Sequence, residues 1–131
     1  MKHKKPFSLQ LADRMLLVTA QGVWTLADAK EYVRQMRMLV DPILEQQWAA
    51  ILDCRAWQMS PAEVFSLLQD NTQWCFERNL MMAVTVLPDD PLLRWQFSKA
   101  TAMEKPSGFI SQFSDDVVTA REAVRAAGYL S

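Results

Sequence analysis

Five side chains suited to chemistry or to specific binding lie in one short stretch of the chain. They are Asp53, Cys54, Arg55, Trp57 and Ser60. The stretch follows an apolar run at 48–52, which is typical of a strand covered on both sides, and we interpret that run as the central strand of a sheet. Open α/β sheets bind ligands at the carboxyl ends of their strands, so these five residues form the candidate binding site.

Cys54 is the residue of this group that is most suited to catalysis. A thiolate beside the guanidinium of Arg55 would be stabilised, but a nucleophilic cysteine also needs a nearby base. The only histidine is His3, in an N-terminal segment that we expect to be mobile. Burial as an ordinary core thiol explains Cys54 more simply, and we expect no enzyme activity.

Asp53 and Ser60 each have a functional and a structural interpretation. Asp53 either belongs to a site or pairs with Arg55 or a neighbouring backbone amide. The sequence Ser60-Pro61-Ala62-Glu63 has the spacing of a capping box with proline at the first helical position, so we expect the Ser60 hydroxyl to cap a helix. The alternative is a phosphorylation site, which needs an exposed hydroxyl.

Several classes of site do not fit the sequence. The pairs Asp89-Asp90 and Asp115-Asp116 precede predicted helices, where carboxylates cap the helix rather than converge on a metal. Gly22, Gly108 and Gly128 are too far apart to form a phosphate-binding loop. A net charge of -1 provides no field for a nucleic acid. We therefore expect no metal, no cofactor and no nucleic-acid partner.

The composition is that of one compact domain. The chain has 131 residues, half of them hydrophobic, and we predict a basic flexible tail at 1–6 and a single domain at 7–131. No segment has the length of a signal peptide or approaches the roughly 20 apolar residues that span a bilayer. Cys54 and Cys75 form no CxxC pair and are expected to be reduced. These features predict a cytoplasmic protein without an integral membrane segment.

Strand and helix patterns alternate along the chain. Their order, ββαβαβαβα, predicts an α/β fold with a mixed, mostly parallel five-stranded sheet, an antiparallel first strand at one edge, and helices mainly on one face. The predicted strands are 7–11, 15–20, 48–52, 80–87 and 109–113, and the predicted helices begin at Leu26, after Ser60, at Asp90-Pro91 and after Ser114-Asp115-Asp116.

This topology leaves one sheet face with less cover. We expect Met81, Ala83 and Thr85 of the fourth strand to lie on that side, and an exposed face of this kind favours a homodimer or a partner protein. Three tryptophans near element boundaries either fill the core or line a cleft or contact surface: Trp24, Trp57 and Trp95.

The order of elements and the junction after Asp53 resemble the STAS domain, the family of bacterial anti-sigma-factor antagonists also called SpoIIAA-like. The resemblance extends from Phe7 to about Tyr129 and includes a strand that ends in an aspartate, here Ile51-Leu52-Asp53. Members of that family carry a phosphorylated serine in an Asp-Ser-x-Gly turn, whereas this chain has Met59-Ser60-Pro61-Ala62-Glu63. The resemblance implies a fold whose members mostly bind partners or small ligands, without the phosphorylation switch.

Two functional hypotheses follow. The first is a non-enzymatic, cytosolic regulatory module of STAS-like type, which contacts a protein partner through the loop at 53–60 or through the thinly covered sheet face. The second is a protein that binds a small hydrophobic ligand or lipid between sheet and helices, because the same fold also houses lipid-binding domains. A cavity lined by Met, Trp and Phe would favour the second hypothesis, and a closed surface beside the 54–59 loop would favour the first.

Overall fold

The structure, a computed structural model, describes residues 5–58, 60–100 and 102–131. Their elements follow the predicted order. The strands are β1 (Phe7–Ala12), β2 (Met15–Gly22), β3 (Trp48–Trp57), β4 (Leu80–Val86) and β5 (Ile110–Ser114), and the helices are α1 (Leu26–Val40), α2 (Ala62–Phe76), α3 (Pro91–Ala100) and α4 (Val117–Ala126), with a 3-10 turn at Asp41–Ile43.

The five strands form one sheet in the order β1-β2-β3-β4-β5. β1 pairs antiparallel with β2, and the other three pairs are parallel. The predicted mixed sheet, with its antiparallel edge strand and its central third strand, is confirmed. β3 continues to Trp57, beyond the predicted end at 52, so most of the candidate residues lie within a strand and not in a loop.

α1, α2 and α3 lie on one face of the sheet, which we call the three-helix face. Side chains of α1 and α2 pack with Leu16, Val18 and Ala50 in one core cluster. Phe97 of α3 and Ala83 of β4 line a cavity on the same face. Parallel crossovers are right-handed, and the strand order advances in one direction, so the crossover helices fall on one side. The predicted placement of helices mainly on one face is confirmed.

α4 packs on the opposite face, which we call the α4 face. Ala120 and Val124 are fully buried there, in a cluster with Ile51, Met82 and Val84. This helix follows the last strand, so no further crossover fixes its side. It closes the face that the three crossover helices leave open.

The prediction that Met81, Ala83 and Thr85 share a thinly covered side is wrong. The β3–β4 register shifts between Trp48 and Ala49, which leaves Met81 as an extra residue, and its side chain packs against the α4 cluster. Ala83 and Thr85 line a cavity on the three-helix face. The space that the sequence pattern indicated therefore lies beneath helices and not on a bare face.

Two of the predicted helix starts show how local hydrogen bonds set the element boundaries. The Thr25 hydroxyl accepts from the Asp28 amide at 3.1 Å, and the Asp28 carboxylate accepts from the Thr25 amide at 2.9 Å, which is a complete capping box for α1. Asp116 caps α4 by accepting from the Thr119 amide at 2.7 Å. Both helices thus begin where the sequence predicts.

Within the described part of the chain, we find no helix that combines the length and the apolar character needed to cross a membrane.

The packing of α4 predicts unequal effects of two methionine substitutions. Met82 is 1% exposed on the α4 face and Met38 is 66% exposed on α1. Met82→Ala should lower the free energy of unfolding by about 2–5 kcal/mol, because it leaves a cavity in the core, and Met38→Ala should change it by less than about 0.5 kcal/mol. Urea unfolding measures both, and equally small losses would contradict the coverage of this face by α4.

Candidate functional site

An extra residue in β3 separates the candidate side chains onto two faces. Cys54 and Arg55 together lie opposite the single residue Ala20 of β2, so the pairing shifts by one directly after Asp53. In a regular strand Trp57 would lie on the same face as Asp53, because side chains alternate with a period of two. The bulge moves Trp57 to the three-helix face, where Cys54 also lies.

Asp53 and Arg55 form an ion pair with two hydrogen bonds at the edge of the α4 face. The Arg55 Nε and Nη2 atoms donate to the two carboxylate oxygens of Asp53, each at 2.9 Å, and the Arg55 amide donates to Oδ1 at 3.3 Å. The Arg55 hydrogen bonds hold the pKa of Asp53 below its ordinary value, although burial opposes this. Of the two interpretations of Asp53, the structure has the pairing with Arg55.

This ion pair leaves little of Arg55 for a ligand. Two of its donor nitrogens are already bonded to Asp53, and the carboxylate of Asp116 lies close enough to raise the Arg55 pKa further. The Arg55 side chain is 46% exposed and the Asp53 side chain 10%. The pair therefore holds the bulge in its conformation and neutralises a buried carboxylate.

Cys54 has the environment of a core thiol. It is 7% exposed, and burial, with a smaller contribution from the Asp53 carboxylate, raises its pKa to about 12. A thiol that stays protonated at neutral pH is a poor nucleophile. His3, the only histidine, lies outside the described residues. Cys54 contributes to this site as an apolar wall.

The prediction that Ser60 caps α2 is wrong. The N-cap residue of α2 is Pro61, and no side chain bonds to the first turn. The Ser60 hydroxyl instead accepts from the Trp24 amide at 3.0 Å and donates to the Gln58 carbonyl at 3.2 Å. Ser60 is 9% exposed. Its hydroxyl links the β3–α2 connection to the segment before α1. This bond gives the Trp24 amide the partner that a backbone amide in the interior requires.

Trp57 lies in an aromatic cluster on the three-helix face. Its ring is 5.8 Å from that of Trp24 and 5.4 Å from that of Phe65, both in edge-to-face contacts. The Trp24 indole nitrogen donates to the Pro6 carbonyl at 2.9 Å. The Trp57 Nε1 atom is buried and has no hydrogen-bond partner among the described residues. An unpaired indole N–H in a protein interior is uncommon.

A cavity of about 100 Å³ lies beside this cluster, between the sheet and the helices. Its walls are almost entirely apolar or aromatic, and none of the described side chains that line it carries a charge. They are Val18, Ala20, Trp24, Tyr32, Leu52, Cys54, Trp57, Phe65, Leu68, Gln69, Thr72 and Phe97.

A second cavity of about 210 Å³ adjoins the first on the same face. The two share four lining residues, so together we call them the three-helix pocket. The shared residues are Tyr32, Leu52, Thr72 and Phe97. The second cavity is more polar, because Thr85, Lys105 and Ser111 are among the residues that line it.

Tyr32 is a residue of the pocket that the sequence did not reveal as functional. It is 7% exposed and lies where the two cavities meet. Its hydroxyl makes no hydrogen bond with a described residue, and burial raises its pKa above the ordinary value. The sequence did contain one indication. Tyr32 follows Ala29 by three residues, so it lies on the buried stripe of α1 and brings a hydroxyl into the core.

The described residues contain no group of three or more His, Cys, Asp or Glu side chains that could hold a metal ion.

Comparison with known structures identifies the fold. A DUF3478-family protein with a SpoIIAA-like fold from Shewanella loihica PV-4 matches 90% of this chain and 91% of its own, at 12% identity and a TM-score of 0.67. An anti-sigma factor antagonist from Mycobacterium paratuberculosis matches 91% of this chain and 92% of its own, at 14% identity and a TM-score of 0.55. The chain has a SpoIIAA-like fold. No known protein-family model and no curated protein sequence matches it.

The predicted resemblance is thus confirmed for the SpoIIAA-like fold. Identities of 12 and 14% carry no residue roles from those proteins to this one. What the site does must come from its own geometry, in which Cys54 and Trp57 line a pocket while Asp53 and Arg55 pair on the opposite face.

The Asp53–Arg55 pair predicts a pH-dependent contribution to stability. Arg55→Gln should raise the Asp53 pKa, because the guanidinium hydrogen bonds that lower it most are lost while burial remains. The variant should lose about 1–3 kcal/mol at pH 7, a limited loss because water reaches the half-exposed Arg55. The native pKa lies below the unfolded value, so this contribution is present above pH 3.8 and fades as the pH falls through the native pKa.

The measurement is urea unfolding between pH 7 and pH 3, with a ¹³C NMR titration of the Asp53 carboxyl. Arg34→Gln is the control, because the Arg34–Glu31 pair lies on the surface with both side chains about half exposed. Its loss should be much smaller. An unchanged Asp53 pKa in Arg55→Gln would contradict the role assigned to the ion pair.

Proposed function

We propose that this protein is a non-enzymatic module with a SpoIIAA-like fold that binds a small apolar molecule in the three-helix pocket. The observation that carries this proposal is the pocket itself, with cavities of about 100 and 210 Å³ between the sheet and the helices. Cys54 and Trp57, two of the five side chains that the sequence analysis singled out, line this space. That is the arrangement expected of a ligand-binding protein.

The lining supports an apolar ligand. Two tryptophans, a tyrosine and two phenylalanines surround the first cavity, and aromatic walls of this kind bind apolar groups well. An apolar cavity of about 150 Å³ holds a benzene molecule. The second cavity, of about 210 Å³, exceeds that volume and adjoins the first, so the pocket suits a molecule of about one ring with a short substituent.

The geometry argues against the 53–60 segment as the main docking surface for a protein. Asp53 and Arg55 are paired with one another, and Cys54 and Ser60 are buried. Trp57 is part of the pocket wall. Residues that drive protein association are exposed before the partner binds, and of these five Arg55 has the most exposed side chain, at about half.

Ethylbenzene is a suitable probe of the proposed pocket. Addition of ethylbenzene should raise the melting temperature, and methyl NMR signals of Val18, Leu52 and Leu68 should shift, because these residues line the pocket. Signals of Ile51 and Val84 should stay in place, because these residues lie on the α4 face.

A cavity-filling variant gives the matched control. Ala20 lines the first cavity and is 4% exposed, so Ala20→Leu should reduce ethylbenzene binding at least tenfold. Ala126→Leu places the same change on an exposed turn of α4 and should leave binding unchanged. Equal binding by all three proteins, or shifts confined to the α4 face, would contradict the proposal.

A regulatory protein–protein module is the second candidate function. It is supported by the fold shared with an anti-sigma factor antagonist and by two exposed apolar side chains on α3, Leu92 (63% exposed) and Trp95 (56%). Pull-down from an extract of the native host should recover less partner with Trp95→Ala or Arg55→Ala than with the control Met38→Ala. Unchanged recovery in both variants would remove α3 and the 53–60 segment as contact surfaces.

We infer that the protein acts in the cytoplasm. Two free cysteines, Cys54 and Cys75, are buried singly and form no disulfide, which suits a reducing compartment. That the protein forms a homodimer remains a prediction, and we assign no dimer contact to the described residues.

A further inference from the structure

Two polar groups of the three-helix pocket lack the partners that buried polar groups normally have. The Tyr32 hydroxyl makes no hydrogen bond with a described residue, and the Trp57 indole nitrogen has no partner there. Tyr32 is 7% exposed. An interior donor without a partner lowers stability, so such groups are rare and call for an explanation, such as a bound molecule that completes them.

The two groups belong to one wall of the pocket. The Trp24 ring lies between them, 5.1 Å from the Tyr32 ring and 5.8 Å from the Trp57 ring. Trp24 itself has a partner for its indole nitrogen, the Pro6 carbonyl. Of the aromatic residues with a polar atom that line the first cavity, Tyr32 and Trp57 lack a partner among the described residues, whereas Trp24 has one.

The charge of the lining restricts the chemistry of the ligand. None of the described side chains that line the first cavity carries a charge, and a carboxylate there would be desolvated without a counter-ion. The lysine of the pocket, Lys105, lines only the second cavity. A neutral group that accepts a hydrogen bond gives the Tyr32 hydroxyl a partner and avoids the cost of desolvating a charge.

We propose that the ligand is a neutral molecule of about one ring that carries a carbonyl-type acceptor, which takes a hydrogen bond from the Tyr32 hydroxyl. This inference rests on the proposed function and names the class of molecule that the same pocket selects. Burial keeps the Tyr32 hydroxyl protonated, because it raises the pKa above its ordinary value, so the group remains a donor at neutral pH.

A matched pair of probes separates apolar burial from hydrogen bonding. Acetophenone and ethylbenzene have nearly the same shape, and only acetophenone has a carbonyl oxygen. Calorimetric titration of the full chain with each probe gives two dissociation constants for the wild type and for Tyr32→Phe. Tyr32→Phe should weaken acetophenone binding about fivefold and change ethylbenzene binding less than twofold, because only the first loses a hydrogen bond.

The second tyrosine of the chain provides the control variant. Tyr129 is 9% exposed and lies in the core cluster of the α4 face. Tyr129→Phe removes the same atom away from the pocket and should leave both dissociation constants unchanged. Tyr32→Phe without ligand should melt no lower than the wild type, because the hydroxyl that it removes has no partner to lose.

The possible outcomes distinguish failure of the hydrogen-bond assignment from failure of the pocket. Binding of both probes with equal weakening in Tyr32→Phe, or with none, overturns the hydrogen-bond assignment and leaves the apolar pocket in place. Binding of neither probe overturns both proposals. Benzoate tests whether the ligand is neutral. It should bind at least tenfold more weakly than acetophenone at pH 7. Tighter binding of benzoate than of acetophenone would overturn the proposal of a neutral ligand and favour a ligand with a charged group beside Lys105.

Discussion

The handedness of the parallel crossovers governs the rest of this structure. The strands follow one another in order across the sheet, so every crossover from β2 onward steps in the same direction. Right-handed connections then require α1, α2 and α3 to share a face, and only α4, which follows the last strand, can cover the other. On the α4 face, α4 contributes two small residues, Ala120 and Val124, which are fully buried against the sheet. The three-helix face must accommodate large aromatic side chains, and the pocket lies there.

A single extra residue in β3 decides which chemistry meets the pocket. With regular alternation, Asp53, Arg55 and Trp57 would share a face, and an ion pair would stand beside an indole ring. The bulge opposite Ala20 instead leaves the ion pair on the α4 side and turns Trp57 toward the pocket. The bidentate bond between Asp53 and Arg55 closes over the bulge, so a charge pair stabilises the feature that brings Trp57 to the first cavity.

The sequence predicts the elements of this fold well because their signals are local. Thr25 and Asp28 complete their own capping box, and alternation in the first twenty residues specifies the hairpin without help from distant parts of the chain. The fold class and the strand order follow from these elements and from the crossover rule, and the likeness to the SpoIIAA-like fold agrees with them.

The site depends on contacts that the sequence does not encode locally. Ser60 has the pattern of a helix cap, yet its hydroxyl binds the Trp24 amide, which is 36 positions away in the chain. No residue pattern in the sequence indicates the bulge after Asp53, so the sequence does not predict on which face of the sheet Trp57 lies. Tyr32 fits a buried helical stripe as well as any apolar residue, and only the packed structure reveals that its hydroxyl bonds to none of the described residues.

The walls of the pocket explain how a cavity persists in so small a domain. Empty space in a core lowers stability, and flexible aliphatic side chains usually relax to fill it. Here the first cavity is bordered by rigid rings that hold one another at fixed angles, with Trp24 packed against Tyr32, Trp57 and Phe7, and Trp57 against Phe65. Flat rings in edge-to-face contact cannot rotate into the gap without losing those contacts. The aromatic cluster that strengthens the core therefore also keeps the pocket open, and a ligand that fills it would recover the packing that the empty pocket forgoes.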